Sequence, residues 1–123
     1  MEAIFPEGVS RPDFPYSPGI VSGDLVYTAG QVANDENGNI VSDAIEAQTR
    51  RALDNLRAVL KAAGCDLSDV IKVNAYLTDL SSFAVYNDVY REYFSEPYPA
   101  RTTVGAALAP GYLVEIEAVA RRR

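Results

Sequence analysis

A chain of 123 residues with one cysteine, no histidine and a net charge of −6 sets aside several functions before any motif is read. Without histidine there is no Ser-His-Asp triad, no Cys-His pair and little zinc chemistry, and Cys65 has no partner for an internal disulfide. A pI near 4.5 argues against a nucleic-acid binder, and no stretch is apolar for long enough to span a bilayer.

The length fits a single domain over residues 1–123. The opening Met1-Glu2-Ala3 lacks the basic and apolar regions of a secretory signal, so a reducing cytoplasm is expected. Cys65 reads there as a small residue at a helix end, with Asp66 beside it discouraging a thiolate.

Residues 2–5 predict a short edge strand before a loop held by Pro6, Pro12 and Pro15. The run Pro15-Tyr16-Ser17-Pro18-Gly19 restricts Tyr16, which either covers the core edge or lines a pocket. Residues 20–22 and 25–28 flank Gly23-Asp24, the signature of a hairpin closed by a type II′ turn. Gly30, within Ala29-Gly30-Gln31, marks a bulge or a close approach of a ligand to the backbone. Asn37-Gly38 predicts a turn, after which Ile40-Val41 returns as a short strand.

Ser42-Asp43 offers a helix cap, with Glu46 placed to complete a capping box from Asp43. Ile45, Thr49, Ala52, Leu56, Val59, Leu60 and Ala63 keep the spacing of an amphipathic helix that Gly64 stops. Arg50, Arg51, Asp54, Arg57 and Lys61 fill its other side as a solvated face. Residues 70–78 predict a strand rich in β-branched and aromatic side chains. A second helix follows from about Phe83 to Phe94; its Tyr86, Tyr90, Tyr93 and Phe94 read as core packing. Pro97 and Pro99 deliver the chain, extended, into a strand at Arg101, and Pro110-Gly111 turns it toward a last strand over residues 113–120. Arg121-Arg122-Arg123 reads as a solvated tail.

This order predicts an α+β layer, one sheet with both helices on one face. In the last strand Val114, Ile116, Ala118 and Ala120 make a purely apolar face. The other face mixes Glu115 and Glu117 with Leu113 and Val119, and self-association through it is expected. Arg101, Thr103 and Gly105 share a face of the preceding strand. Paired across Pro110-Gly111, the two strands would set Arg101 and Glu115 in one pocket, as a buried salt bridge or as a site.

In order along the chain stand Pro15-Tyr16-Ser17-Pro18, Thr28-Ala29-Gly30-Gln31, Gln48-Thr49-Arg50, Ala63-Gly64, Tyr86-Asn87-Asp88-Val89-Tyr90, Pro99-Ala100-Arg101 and Val114-Glu115-Ile116-Glu117-Ala118. Together they resemble the Rid family of reactive-intermediate deaminases, also called the YjgF family, over essentially the whole chain. The resemblance implies a chorismate-mutase-like α+β sandwich, with one mixed sheet, two helices on one face, and sheets forming a central barrel in a homotrimer. It also implies sites between subunits that hydrolyse 2-imino or 2-enamino acids to 2-oxo acids and ammonia, with no cofactor and no metal.

By the same resemblance Arg101 matches the arginine that grips the substrate carboxylate, and Glu115 the glutamate associated with the attacking water. Tyr16, Gly30 and Asn87 match further substrate-binding positions, and Thr103 one often held by cysteine. Glu117 reads as structural or interfacial, and Asn87 could equally brace its helix. The residue types suit the chemistry: a guanidinium holds a carboxylate bidentately, and a carboxylate at hydrogen-bonding reach serves the proton steps. Thr102-Thr103, Gly105-Ala106-Ala107 and Ala29 depart from the family pattern and imply a wider pocket. The competing readings are a non-catalytic trimer binding small carboxylates and an RNA-cleaving relative, the latter disfavoured by the acidic charge and absent histidine. No nucleic-acid or membrane partner is expected.

Overall fold

The computed structural model describes residues 1–9 and 14–123; Pro12 of the predicted proline-held loop lies outside the described residues. Eight main elements follow one another: β1 (Glu2–Ile4), β2 (Gly19–Ser22), β3 (Leu25–Thr28), α1 (Ile45–Ala62), β4 (Val70–Leu77), α2 (Phe83–Tyr93), β5 (Ala100–Gly105) and β6 (Val114–Arg121). The strands form a 6-stranded sheet in the order β1-β2-β3-β6-β4-β5.

The hairpin joining β2 to β3 forms as its turn residues require. Gly23 sits at φ 62°, and among the described residues only glycines have positive φ, so Asp24 does not. A single left-handed residue at the first turn position fits type II′, whose twist matches the strands it joins. Ile40-Val41 does not form a strand of the sheet; only an isolated bridge joins Asn34 to Ile40.

Helix α1 buries Thr49, Ala52, Leu56, Val59 and Leu60, the expected stripe, together with Leu53 and Gln48. The predicted capping box from Asp43 is absent: the N-cap is Ala44 without a side-chain cap bond, and Ser42 Oγ accepts from the Ala44 N–H at 3.0 Å instead. The other end is a Schellman motif. Gly64, at φ 80°, lets the Cys65 N–H reach the Leu60 carbonyl at 2.9 Å while its own N–H reaches Lys61 at 3.0 Å.

Gln48 is fully buried and fully used. Its Nε2 donates to the Ser42 and Gly111 carbonyls at 2.8 and 2.9 Å, and its Oε1 accepts from the Leu113 N–H at 2.8 Å. The start of α1 is thereby stitched to the entry of β6, the strand at the centre of the sheet.

The last two strands are not neighbours. Strand β4 lies between them, antiparallel to β6 and parallel to β5. The connection through α2 is a crossover that returns the chain parallel to β4 and leaves β5 at the edge. Leu53, Leu56, Leu60, Val73, Leu77, Tyr86, Val114 and Ile116 are buried in one core between the two helices and one face of the sheet. Each such aliphatic side chain contributes roughly 1.5–3 kcal/mol through burial. The opposite sheet face carries no helix and exposes Tyr27 and Val104. Among the described residues no helix is long and apolar enough to cross a membrane.

Candidate functional site

Register decides where the charged side chains point. Arg101 is paired with Val73, which is paired in turn with Ala118; both of these are buried on the helix-covered face. Glu115 is paired with Tyr76, one position out of phase, and belongs to the open face. Side chains of one strand alternate between faces, and partners in register share one. Arg101 and Glu115 therefore leave the sheet on opposite sides, and the single pocket expected from a β5–β6 hairpin does not form within one chain.

The predicted residues gather instead in two groups. The first lies where α2 covers the β5 edge. The Arg101 guanidinium stands over three rings, with its carbon 4.7 Å from the centroid of Tyr90, 5.3 Å from Tyr86 and 5.5 Å from Phe83. Helical spacing on α2 places these three rings on one side, so the aromatic stripe is both core packing and a platform for the cation. No carboxylate pairs with Arg101 among the described residues. A cavity of about 250 Å³ opens beside it, lined by Asn87, Tyr90, Arg91, Tyr98, Pro99 and Arg101. Asn87 lies inside α2, whose N-cap is Ser82, and so is not its cap.

Three hydroxyls in this group are buried without a hydrogen-bond partner of good geometry: Tyr86 Oη, Tyr90 Oη and Thr103 Oγ1. Thr103 stands two residues beyond Arg101 on the same face of β5. Burial pushes the Tyr90 phenol up to about 12 and raises Tyr86 as well, against the opposing pull of the Arg101 charge. Both phenols thus stay neutral beside the guanidinium.

The second group lies at the far side of the sheet, around the segment after β3. Gln31 exchanges both backbone hydrogen bonds with Ile116, at 2.8 and 3.0 Å, which draws this segment alongside β6. Gly30 is then set directly against Glu115: a β-carbon built on Gly30 would lie 2.7 Å from the Glu115 carboxyl carbon. The glycine marks close contact with a protein carboxylate, one of the meanings a glycine next to a strand carries. Burial first, and the charge of Glu117 second, raise Glu115 above the usual carboxylate range.

Tyr16, exposed and stacked on Phe14 at 5.5 Å, borders a larger cavity of about 510 Å³ with Gly30, Gln31, Asn34 and Arg51. Polar groups in that cavity are engaged in bracing its own loop. Arg51 Nε donates to the Asn34 carbonyl at 2.9 Å, and Asn55 Nδ2 to Val32 and Asn34 at 2.9 and 3.0 Å. The smaller cavity, with its uncompensated cation, has the stronger chemical claim on an anionic ligand. Among the described residues no cluster of acidic or cysteine side chains is arranged to hold a metal ion.

Sequence reasoning singled out Arg101, Glu115, Tyr16, Gly30, Asn87 and Thr103 as candidates and did not foresee the platform of Phe83, Tyr86 and Tyr90 under Arg101. The helical spacing of those rings was the available signal; that an arginine would lie on them depended on which strand α2 covers.

Residues 9–122 match the family model described as endoribonuclease L-PSP. A RutC family protein of Pyrococcus horikoshii is 47% identical over 97% of this chain and 96% of its own length. The human protein named 2-iminobutanoate/2-iminopropanoate deaminase is 39% identical, over 86% of this chain and 79% of its own. The crystal structure of E. coli TdcF with bound serine has a TM-score of 0.89 at 34% identity and covers 100% of both chains.

Proposed function

The chain belongs to the endoribonuclease L-PSP family, the YjgF/Rid family, and from that premise we propose that it is a hydrolytic deaminase converting reactive 2-imino or 2-enamino acids to 2-oxo acids and ammonia. The observation that carries this reading is the Arg101 guanidinium, without a paired carboxylate among the described residues, held on three aromatic rings at the edge of a cavity. A planar cation kept in place but not neutralised suits a carboxylate, which it holds through two parallel hydrogen bonds. The relative solved with serine bound is consistent with an amino-acid-like ligand for this fold.

In this reading Arg101 fixes the substrate carboxylate, and with it the adjacent iminium carbon. Water adds its oxygen to that carbon while Glu115 takes a proton, and the C=N electron pair moves to nitrogen. The resulting carbinolamine receives that proton on nitrogen from Glu115, the C–N bond breaks, and the hydroxyl closes to a carbonyl by giving its own proton back to the Glu115 carboxylate as ammonia leaves. The iminium is already electrophilic, so positioning and one proton carrier supply most of the catalysis. Asn87 and Thr103 border the substrate from the Arg101 side, and Tyr16 and Gly30 from the Glu115 side.

Because Arg101 and Glu115 face opposite ways, the complete site is assembled from two copies: the β5 edge of one meets the Gly30–Glu115 wall of its neighbour. Tyr27 and Val104, 46% and 41% exposed on the open face, favour that association, and a homotrimer with the sheets turned inward accommodates it.

Ammonia release from freshly generated 2-iminobutanoate, above the rate in buffer, tests the reading. Arg101→Ala is expected to abolish the acceleration. A folded protein that binds 2-oxobutanoate without releasing ammonia would replace the enzyme by a carboxylate-binding protein, and full activity in Arg101→Ala would remove the proposed grip.

A further inference from the structure

Glu117 stands two residues from Glu115 on the same face of β6, about 7 Å away along the strand. It is held from two directions. Tyr76 lies directly opposite Glu115 in the β4–β6 register, yet its hydroxyl turns along the diagonal and donates to Glu117 Oε1 at 3.1 Å. Asn74, directly opposite Glu117, donates through Nδ2 to Oε2 at 3.4 Å. Both carboxylate oxygens accept from the neighbouring strand, and neither donor brings a positive charge.

Within one chain the described residues supply no counter-charge, so the cation that the assembled site brings toward Glu115 is Arg101 of the partner subunit, which is engaged by the substrate carboxylate. On β4 the cation of this face is Lys72, whose Nζ donates to Thr102 Oγ1 at 3.0 Å, toward the β5 edge. On β6 the next cation, Arg121, pairs with Asp24. Strand β3 contributes Tyr27, β5 contributes Thr102 and Val104, and the segment against Glu115 contributes Gly30 and Gln31. No ion pair reaches Glu115 or Glu117 among the described residues. Two carboxylates share one partly buried face.

We propose that Glu117, clamped by Tyr76 and Asn74, is a positioning residue for Glu115, its fixed negative charge setting the pH at which Glu115 passes from proton donor to proton acceptor. The inference rests on the deaminase reading for its purpose: imine hydrolysis asks one carboxylate to take a proton from water and then return it to the departing nitrogen. An ordinary glutamate is too weak a base for the first step at neutral pH, and a neighbouring fixed anion brings it closer to the working pH. The upward displacement of Glu115 by burial and by Glu117 runs in this direction. Tyr76 and Asn74 orient the anion without neutralising it, which a lysine or arginine in their place would do.

Carbon-detected NMR titration of the glutamate carboxyls in the whole protein tests the coupling without any substrate. In Glu117→Gln the Glu115 midpoint is expected to fall by roughly 0.5 pH unit, and in Glu117→Asp, which keeps the charge, to stay near its original value. The acid limb of the kcat/KM profile should move with the midpoint. Should Glu117→Gln not fold, Asn74→Lys decides: a cation in place of the amide neutralises Glu117 and must likewise lower the Glu115 midpoint. An unmoved Glu115 midpoint in folded Glu117→Gln, or in folded Asn74→Lys, overturns the proposal. Loss of imine hydrolysis under all conditions, with the shift intact, overturns the deaminase reading and leaves the coupling standing.

Discussion

The Glu115 carboxylate occupies the space a side chain on Gly30 would need: the glycine's missing β-carbon would fall 2.7 Å from the Glu115 carboxyl carbon and 2.9 Å from its Cγ. The backbone of the segment after β3 and a β6 side chain are thus held in van der Waals contact, with the Gln31–Ile116 bridge keeping them there.

Gly30→Ala should therefore act on Glu115 before it acts on the fold. The atoms in the way belong to the end of a flexible side chain, so the carboxylate swings aside while the backbone holds. We expect imine hydrolysis to fall by about 10²-fold, as misplacement of a catalytic group by about 1 Å does. The melting temperature should change by only a few degrees. Unchanged steady-state rates in the variant would show that the position of Glu115 is immaterial to turnover.

The platform under Arg101 separates a ring from its hydroxyl. Tyr90 Oη is buried without a partner, so Tyr90→Phe removes an unsatisfied group and should leave stability equal or slightly higher, with KM close to the original. Tyr90→Leu removes the π-face 4.7 Å from the guanidinium carbon. A cation–π contact of about 0.5–2 kcal/mol corresponds to a KM raised roughly 3- to 30-fold, with kcat less affected. Equal KM values for the Phe and Leu variants would mean that the rings only fill the core.

Glu115 also links function to stability. Its carboxyl is raised in the folded chain, so the folded state prefers the protonated form. The stabilisation it contributes is fully present below the unfolded-state value of about 4.3 and is lost as pH rises through the raised folded value. Glu115→Gln, neutral at every pH, is then expected to melt higher than the original protein at pH 8, with the difference vanishing below about pH 4. The same variant should have lost its deaminase activity. Parallel melting curves across this range, measured by calorimetry, would contradict the assigned direction.

Gln48 predicts a purely structural loss. Gln48→Ala takes the partner from the half-buried Leu113 N–H and from the Ser42 and Gly111 carbonyls, and leaves a cavity where the fully buried amide stood. A destabilisation of about 2–4 kcal/mol is expected from urea unfolding, because unsatisfied buried groups cost more than a made hydrogen bond contributes. A loss under 1 kcal/mol would mean that water replaces the amide.

Much of this architecture is local and so was legible along the chain. The apolar stripe of α1, the glycine that ends it, the Gly23-Asp24 turn and the alternation of β6 each follow from neighbours within a few residues. The capping box read from Asp43 failed because Ser42, two residues before the N-cap Ala44, takes up that turn with its own hydroxyl. Ile40-Val41 failed because a short apolar pair has strand propensity but no partner strand beside it.

Taken alone, the order of residues determined the kinds of groups present and their family: an arginine after Pro99-Ala100, two glutamates alternating with apolar residues, and no histidine to compete for their roles. Folding decided which groups meet. Strand β4 enters between β5 and β6, turning Arg101 toward the aromatic face of α2 and Glu115 toward Gly30. That outcome is invisible in spacing because adjacency in a sheet is chosen by the burial of whole faces and the sense of a crossover. A one-residue change in register sends every side chain to the other side.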